Sequence, residues 1–134
     1  MKKWEPGFFM YTGVPEPYAN WMPKALAVDQ RTGNVLVTDP VAGRVVVYNS
    51  AGASPRILIS SGLVNPSGIA VNSAGDVYVV ESRLEGRLLK FDSSGKLLAV
   101  HGQTFGYPHG VAVAADGAVW VAEAGLHVIK VTCM

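Results

Sequence analysis

The chain has 134 residues, which is long enough for one domain with a buried core and too short for two ordinary ones. Hydrophobic residues make up 49% of the sequence and charged residues 16%, a composition that excludes an intrinsically disordered chain. The formal net charge is +1, from 11 basic and 10 acidic residues, so composition gives no support to a nucleic-acid partner.

Targeting and redox signals point to a cytoplasmic protein. Cys133 is the single cysteine, so no disulfide can form within the chain and an oxidising compartment is not required. Two N-terminal lysines are typical of a signal peptide, but Glu5, Pro6 and Gly7 follow before any apolar run forms. No stretch approaches the ~18 consecutive apolar residues of a membrane-spanning helix, so we expect no membrane partner.

The chain contains an internal repeat. A short apolar segment at residues 7–12, GFFMYT, predicts a strand, and three similar segments then begin at Met22, Asn65 and Tyr107. Two positions mark the period: prolines spaced by 43 and 42 residues (Pro23, Pro66 and Pro108) and acids spaced by 42 and 42 (Asp39, Glu81 and Glu123). A fixed period of this length indicates a repeat architecture.

Each repeat predicts short strands, A to D, separated by polar turns. In the second repeat these are GIAV, VYVV, RLLKF and LLAVHG, with the Gly-containing turns NSAGD and DSSGK after strands A and C. No segment carries a helical period with caps. Four antiparallel strands in ~42 residues is the size of one propeller blade. The predicted fold is therefore all-β, with three β-propeller blades.

The repeats divide the single domain, residues 1–134, at 22–64, 65–106 and 107–131. The third repeat lacks its fourth strand, whereas residues 7–12 supply a surplus strand before the first repeat. Propellers close with about four to eight blades, so three blades make half of a six-bladed wheel. We expect a homodimer in which residues 7–12 of each copy complete the last blade of the other. A fragment of a longer propeller or an open arc is the alternative.

The second repeat, PSGIAV…GDVYVVES…GRLLKFDSSGK, resembles the NHL repeat, whose pattern is P-x-G-I-A-V-x-x-x-G-x-[IVL]-Y-V-x-D followed by N-x-R-[IV] and a Gly turn. The resemblance covers about residues 22–131. It departs from the pattern at Lys24-Ala25 in place of x-Gly, at Glu81 and Glu123 in place of Asp, and at Gly43 and Gly86, where Asn often precedes the Arg. It implies a propeller module that presents one surface of loops to a partner.

In a four-stranded meander, the D–A and B–C connections lie on one side of the wheel, and the A–B and C–D turns lie on the other. We call the side with the D–A and B–C connections the loop face. Loops on rigid scaffolds carry function, so the loop face is the predicted binding face. Its candidate residues are Lys24, Ser67, His109, Asp39, Glu81, Glu123, His127 and Tyr107.

The three acids recur in every repeat, which favours a structural role. We expect them to accept backbone N–H bonds at the B–C turn or to pair with Arg44 and Arg87. Trp120 occupies the strand-B position of Leu36 and Tyr78, and we expect it to pack between blades.

His109 is not repeated, because the equivalent positions in the first and second repeats are Lys24 and Ser67. PHG…VWVAE is similar to virginiamycin B lyase-type propellers, in which a His at the start of strand A is a general base and a Glu 14 residues later binds Mg²⁺. This implies His109 and Glu123 as candidate catalytic residues. P-H-G also resembles peptidyl-hydroxyglycine amidating lyases, in which three blades each present a His to one zinc. The chain has a single such His, so that site is not available.

Three functions remain open. A non-catalytic module without a cofactor would bind a protein or peptide, and this is the function that we favour. A lyase or hydrolase would use His109 and Glu123 with a divalent metal, Mg or Zn. RNA binding of the TRIM-NHL type is the third, and the near-neutral charge of the chain gives it no support.

Overall fold

A computed structural model describes residues 22–125 and 127–131, and within them the chain is built of β-strands and turns. The first sheet comprises β1 (Leu26–Val28), β2 (Val35–Asp39), β3 (Arg44–Tyr48) and β4 (Arg56–Ile59). The second comprises β5 (Pro66–Val71), β6 (Val77–Glu81), β7 (Leu88–Phe91) and β8 (Leu97–Val100). The third comprises β9 (Pro108–Val113), β10 (Val119–Glu123) and β11 (Val128–Val131).

Each sheet is an antiparallel meander in which strands adjacent in sequence pair with one another. The sheets are blades 1, 2 and 3, and their strands in order are A, B, C and D. The predicted all-β propeller blades are confirmed. Blade 3 contains strands A to C within the described residues, and residues 7–12, the predicted completing strand, lie outside them. No helix in the described part of the chain is long and apolar enough to cross a membrane.

The turns opposite the loop face form because their own side chains satisfy the backbone. In the A–B turn of blade 2, Asn72 Oδ1 accepts the N–H groups of Ala74 and Asp76, both at 2.9 Å. Gly75 adopts φ +90°, a conformation that strongly favours glycine. Asp92 repeats this arrangement in the C–D turn, where its Oδ1 accepts the Ser94 and Lys96 N–H groups.

The core lies between the blades. Successive side chains of a strand point to opposite sides of the sheet. In β6, Val77 and Val79 pack towards blade 1, whereas Tyr78 and Val80 pack towards blade 3. Both sides of blade 2 are therefore covered, which explains why VYVV is apolar at every position.

Glycine permits this close stacking of blades. A Cβ at Gly68 in β5 would lie 2.9 Å from the His109 carbonyl oxygen of blade 3 and 2.9 Å from Val80 Cγ2. The glycine of the P-x-G element thus sets the distance between strands A of neighbouring blades, and the same element in blade 3 carries Gly110.

Candidate functional site

The three repeat acids, Asp39, Glu81 and Glu123, each end strand B on the loop face. Each carboxylate accepts a backbone N–H from the D–A connection, 17 residues earlier in the chain. The donors are Met22 to Asp39 at 3.2 Å, Val64 to Glu81 at 2.8 Å and Gly106 to Glu123 at 2.6 Å. We expected these N–H donors to lie in the B–C turn, and that expectation is wrong. The donors lie in the D–A connection because strands A and B are adjacent, so the segment that enters strand A lies beside the end of strand B.

Each repeat acid also contacts a cationic or titratable side chain of the following B–C loop. Arg44 Nη2 lies 2.8 Å from Asp39 Oδ2, and Arg87 binds Glu81 through Nη2 at 2.6 Å and Nε at 2.7 Å. The pairing expected for both arginines is therefore present. In blade 3 a histidine takes this position, with His127 Nδ1 3.0 Å from Glu123 Oε1. The acids thereby join the two loops of each blade.

Glu81 shows how a buried carboxylate remains ionised. Its side chain is fully buried, and burial, the largest single influence, raises its pKa. The Arg87 hydrogen bonds, the Val64 N–H and the charges of Arg87 and Arg83 together outweigh burial, so the pKa of Glu81 is lowered from its ordinary value. The hydrogen bond to Glu81 in turn raises the pKa of Arg87.

Stability should therefore depend on the ionisation of Glu81. Because its folded pKa is depressed, the contribution is present above the unfolded pKa of Glu and is lost as pH falls through the folded pKa. We expect Glu81→Gln to lower the free energy of unfolding at pH 7 by about 2 kcal/mol and to flatten its decline below pH 5. Urea unfolding between pH 7 and pH 3 measures both, and Glu85→Gln, at an exposed position of the same loop, is the control. A decline as steep as that of the wild type would contradict this assignment.

His109 and Glu123 have separate partners. His109 Nδ1 lies 3.3 Å from Ser82 Oγ of blade 2, whereas both oxygens of Glu123 are engaged by Gly106 and His127. Among the described residues no hydrogen bond joins His109 to Glu123. Sequence analysis missed Ser82, because only the stacking of blades 2 and 3 brings the end of one strand B beside the next strand A.

The other predicted binding residues differ in their exposure. Lys24 and Tyr107 are exposed on the loop face. Ser67 is 4% exposed and donates from its Oγ to the Pro108 carbonyl oxygen at 3.0 Å, so it joins blades 2 and 3. Asp39 and Glu81 are buried.

A divalent metal would need several converging ligands. Within residues 22–125 and 127–131, no group of three or more His, Cys, Asp or Glu side chains is placed to hold a metal ion. The ligand set of a protein zinc site, with three or four side chains, is not met by these residues.

Large apolar side chains project from the loop face. We call them the apolar rim: Met22, Val41, Val64, Leu84 and Tyr107, with exposed fractions of 49% to 67%. The described A–B and C–D turns, on the other side of the wheel, carry no exposed large hydrophobic residue. Sequence analysis missed most of these residues. They could have been found as apolar residues within otherwise polar loops, such as Leu84 in SRLEGR.

The charges of the loop face balance. Its described basic residues are Lys24, Arg44, Arg83 and Arg87, and its described acidic residues are Asp39, Glu81, Glu85 and Glu123. The face therefore lacks the excess of positive charge by which proteins bind phosphate backbones.

A cleft of about 310 Å³ opens at the outer edge between blades 1 and 2. Its apolar lining includes Leu58, Leu89, Phe91 and Leu97, and Arg87 lies at its loop-face end. Gly62 and Leu63 also line the cleft, so it adjoins the apolar rim at Val64.

Comparison with known proteins identifies the repeat. The model of the NHL repeat matches residues 105–131, which carry β9, β10 and β11. The resemblance to NHL-repeat propellers is therefore confirmed: the third repeat matches the NHL model, and all three blades are antiparallel meanders with an acid at the end of strand B.

Curated relatives carry the same repeat. The chain is 35% identical to human NHL repeat-containing protein 3 over 75 residues, which is 50% of this chain and 22% of that protein. It is 30% identical to the mouse protein of the same name over 114 residues, covering 69% of this chain and 33% of that protein. The chain thus spans a third or less of the length of these relatives.

Solved structures share the fold. A chain of the nidogen/laminin complex is 25% identical, with a TM-score of 0.71 over 82% of this chain and 44% of that one. A gluconolactonase from Xanthomonas campestris is 21% identical, with a TM-score of 0.62 over 77% of this chain and 35% of that one. The calcium-binding protein regucalcin from Agrobacterium tumefaciens is 16% identical, with a TM-score of 0.65 over 79% and 39%. The latter two likenesses show the fold alone, and this fold supports both binding proteins and enzymes.

Proposed function

We propose that the chain is a non-catalytic NHL-repeat interaction module whose loop face binds a protein or peptide partner. The observation that carries the proposal is the apolar rim, because its large side chains lie on one side of the wheel and not on the described turns of the other. Exposed large apolar side chains gathered on one side of a protein are candidates for an interaction site.

The repeat acids make the loop face rigid enough to bind. Each of them joins a D–A connection to a B–C loop through a backbone N–H and a side-chain partner, and the rim residues lie in those same segments. A loop that is already ordered loses little conformational entropy on binding. Tyr107 and Leu84 supply the large contact areas that aromatic and aliphatic anchors provide at interfaces.

The engaged carboxylates favour binding over catalysis. A general base or a metal ligand needs a free lone pair directed at the substrate or the ion. Glu81 accepts four hydrogen bonds, from the Val64 N–H, Arg83 Nε and Arg87 Nε and Nη2, which fill its lone pairs. Glu123 accepts two, from the Gly106 N–H and His127 Nδ1, and shares none with His109. The balanced charge of the face favours a protein or peptide over RNA.

A random dodecapeptide library displayed on phage is a suitable probe, because it samples many spacings of apolar side chains at once. We expect peptides with apolar anchors to be selected by the wild type and to bind Leu84→Glu at least about tenfold more weakly, since a charge replaces an anchor. Ser73→Glu, an exposed change in the A–B turn on the opposite side, should leave the affinity unchanged. Selected peptides that bind Leu84→Glu as tightly as the wild type, or no selection at all, would contradict the proposal.

A further inference from the structure

The cleft at the outer edge between blades 1 and 2 combines apolar walls with polar groups at one end. Its apolar side chains come from β4, β7 and β8, and Arg87 lies beside them at the loop-face end. The volume of about 310 Å³ is at the lower end of the range for pockets that hold small molecules. Such pockets are mostly apolar, with a few polar groups that orient the ligand. The cleft therefore has the composition of a small-molecule site.

The polar and apolar groups of the cleft follow one another along β7. Alternate residues of a strand share one side of the sheet, and Arg87, Leu89 and Phe91 all line the cleft. Leu88, between them, packs towards blade 3 instead. At the rise of an extended strand, Arg87 and Phe91 are separated by about 13 Å. A cation followed by two large apolar side chains matches a ligand with a charged head and a straight apolar tail.

Arg87 retains hydrogen-bond donors for such a head. Its Nε and Nη2 bind Glu81 at 2.7 and 2.6 Å, and Nη2 also donates to the Gly62 carbonyl oxygen at 3.0 Å. Its third nitrogen, Nη1, has no hydrogen-bond partner within residues 22–125 and 127–131. Because the guanidinium is a rigid planar fork, Nη1 points away from the Glu81 carboxylate. The side chain is 31% exposed, so a bound anion can reach Nη1.

The charges at this end of the cleft favour an anion. Arg83 Nε lies 3.4 Å from Glu81 Oε1, so two arginines share one carboxylate and the cluster keeps one positive charge in excess. Glu85, in the same loop, does not line the cleft. The exposed residues Ser60 and Ser61 do line it, and a serine hydroxyl can donate a hydrogen bond to an anion.

We propose that the cleft binds a straight-chain monocarboxylate, with its carboxylate on Arg87 Nη1 and its alkyl chain along Leu89 and Phe91 towards Leu97. Charge-assisted hydrogen bonds from a guanidinium are the strong ones for a carboxylate. The alkyl chain leaves water for an apolar wall, which contributes in proportion to the area covered. The inference goes beyond the proposed function and does not depend on what the loop face binds.

Nuclear magnetic resonance of the ¹⁵N-labelled full chain, titrated with sodium octanoate, tests the site. We expect shifts of the amides of residues 58–63 and 87–97, with a dissociation constant below about 1 mM. Hexanoate should bind about tenfold more weakly, because two fewer methylene groups leave water. The uncharged analogue 1-octanol should bind at least about tenfold more weakly, because it lacks the carboxylate. Unshifted cleft amides at millimolar octanoate, or equal affinity for hexanoate or 1-octanol, would overturn the inference.

Two neighbouring leucines of β8 give a matched pair of variants. Leu97 and Leu98 are 49% and 47% exposed, but Leu97 lines the cleft and Leu98 does not. Leu97→Asp should weaken octanoate binding at least about tenfold, because it places a charge beside the alkyl chain. Leu98→Asp should bind octanoate like the wild type. Equal affinities of the two variants would overturn the placement of the chain, and the ligand series on the wild type does not require either variant to fold.

Discussion

Replacing Arg44 by alanine should lower the free energy of unfolding by about 3–5 kcal/mol, the cost of removing one partner of a buried ion pair. Arg44 and Asp39 are 1% and 0% exposed, and Arg44 Nη2 lies 2.8 Å from Asp39 Oδ2. Without the guanidinium, the Asp39 carboxylate retains the Met22 N–H but loses its counter-charge in a site that water does not reach. Urea unfolding at pH 7 measures the loss.

An exposed ion pair of the same type is the control. Arg31 Nη2 lies 3.0 Å from Asp29 Oδ2, but the arginine side chain is 42% exposed. Arg31→Ala should therefore lower the free energy of unfolding far less than Arg44→Ala does. The double variant Asp39→Asn, Arg44→Met should lose less stability than Arg44→Ala, because no uncompensated charge stays buried. Equal losses for Arg44→Ala and Arg31→Ala would refute a structural role for the repeat acid.

Gly43→Ala should destabilise the protein by about 2–4 kcal/mol, through backbone strain together with overpacking. Gly43 has φ +67°, a conformation that L-residues rarely adopt. A Cβ at this position would also overlap the carbonyl oxygen of Leu63, a backbone atom that cannot move aside cheaply. The free energy of unfolding in urea provides the measurement.

Gly117→Ala separates these two contributions. Gly117 has φ +90°, but apart from its two chain neighbours no residue lies within 4 Å of the Cβ that alanine would introduce. Gly117→Ala should therefore lower the free energy of unfolding only through backbone strain, by about 1–2 kcal/mol. If both variants lost the same stability, the close approach of Leu63 to Gly43 would carry no energetic weight.

The same crowding explains a departure from the NHL pattern, in which Asn often precedes the Arg of the B–C loop. A Cβ at Gly86 would overlap the Glu81 carbonyl oxygen and lie 2.7 Å from Pro108 Cδ, and a Cβ at Gly43 would meet Leu63. Asparagine tolerates a positive φ such as that of Gly43, but its Cβ would overlap the neighbouring segment at either position. The sequence showed the departure, and only the packing of neighbouring segments shows its cause.

Local patterns in the sequence predicted the blades well. The period of the acids, the Gly-containing turns and the apolar strands reflect interactions within one repeat, and the pairing of Asp39 with Arg44 and of Glu81 with Arg87 follows from their closeness in sequence. Contacts between repeats could not be predicted in the same way. The Ser82–His109 contact depends on the distance between strands of different blades, which Gly68 sets.

The exposure of single residues was the least predictable property. Trp120 occupies the same position in its repeat as Tyr78, yet Trp120 is 40% exposed and Tyr78 is 4% exposed. Blade 3 packs over Tyr78, whereas no described blade packs over Trp120. Ser67 was expected on the binding face, but its hydroxyl bonds to the Pro108 carbonyl between blades. Exposure depends on the neighbour of a blade and not on the blade itself.

Hydrogen–deuterium exchange of the chain with and without a phage-selected peptide tests the central claim most directly, because it locates the bound peptide. The account predicts protection of the rim segments 40–43, 64–65, 83–86 and 104–107, with unchanged exchange in the turns 72–76, 92–96 and 114–118. Protection confined to those turns, or to residues 58–63 and 95–97 around the outer cleft, would contradict the assignment of the loop face as the binding surface.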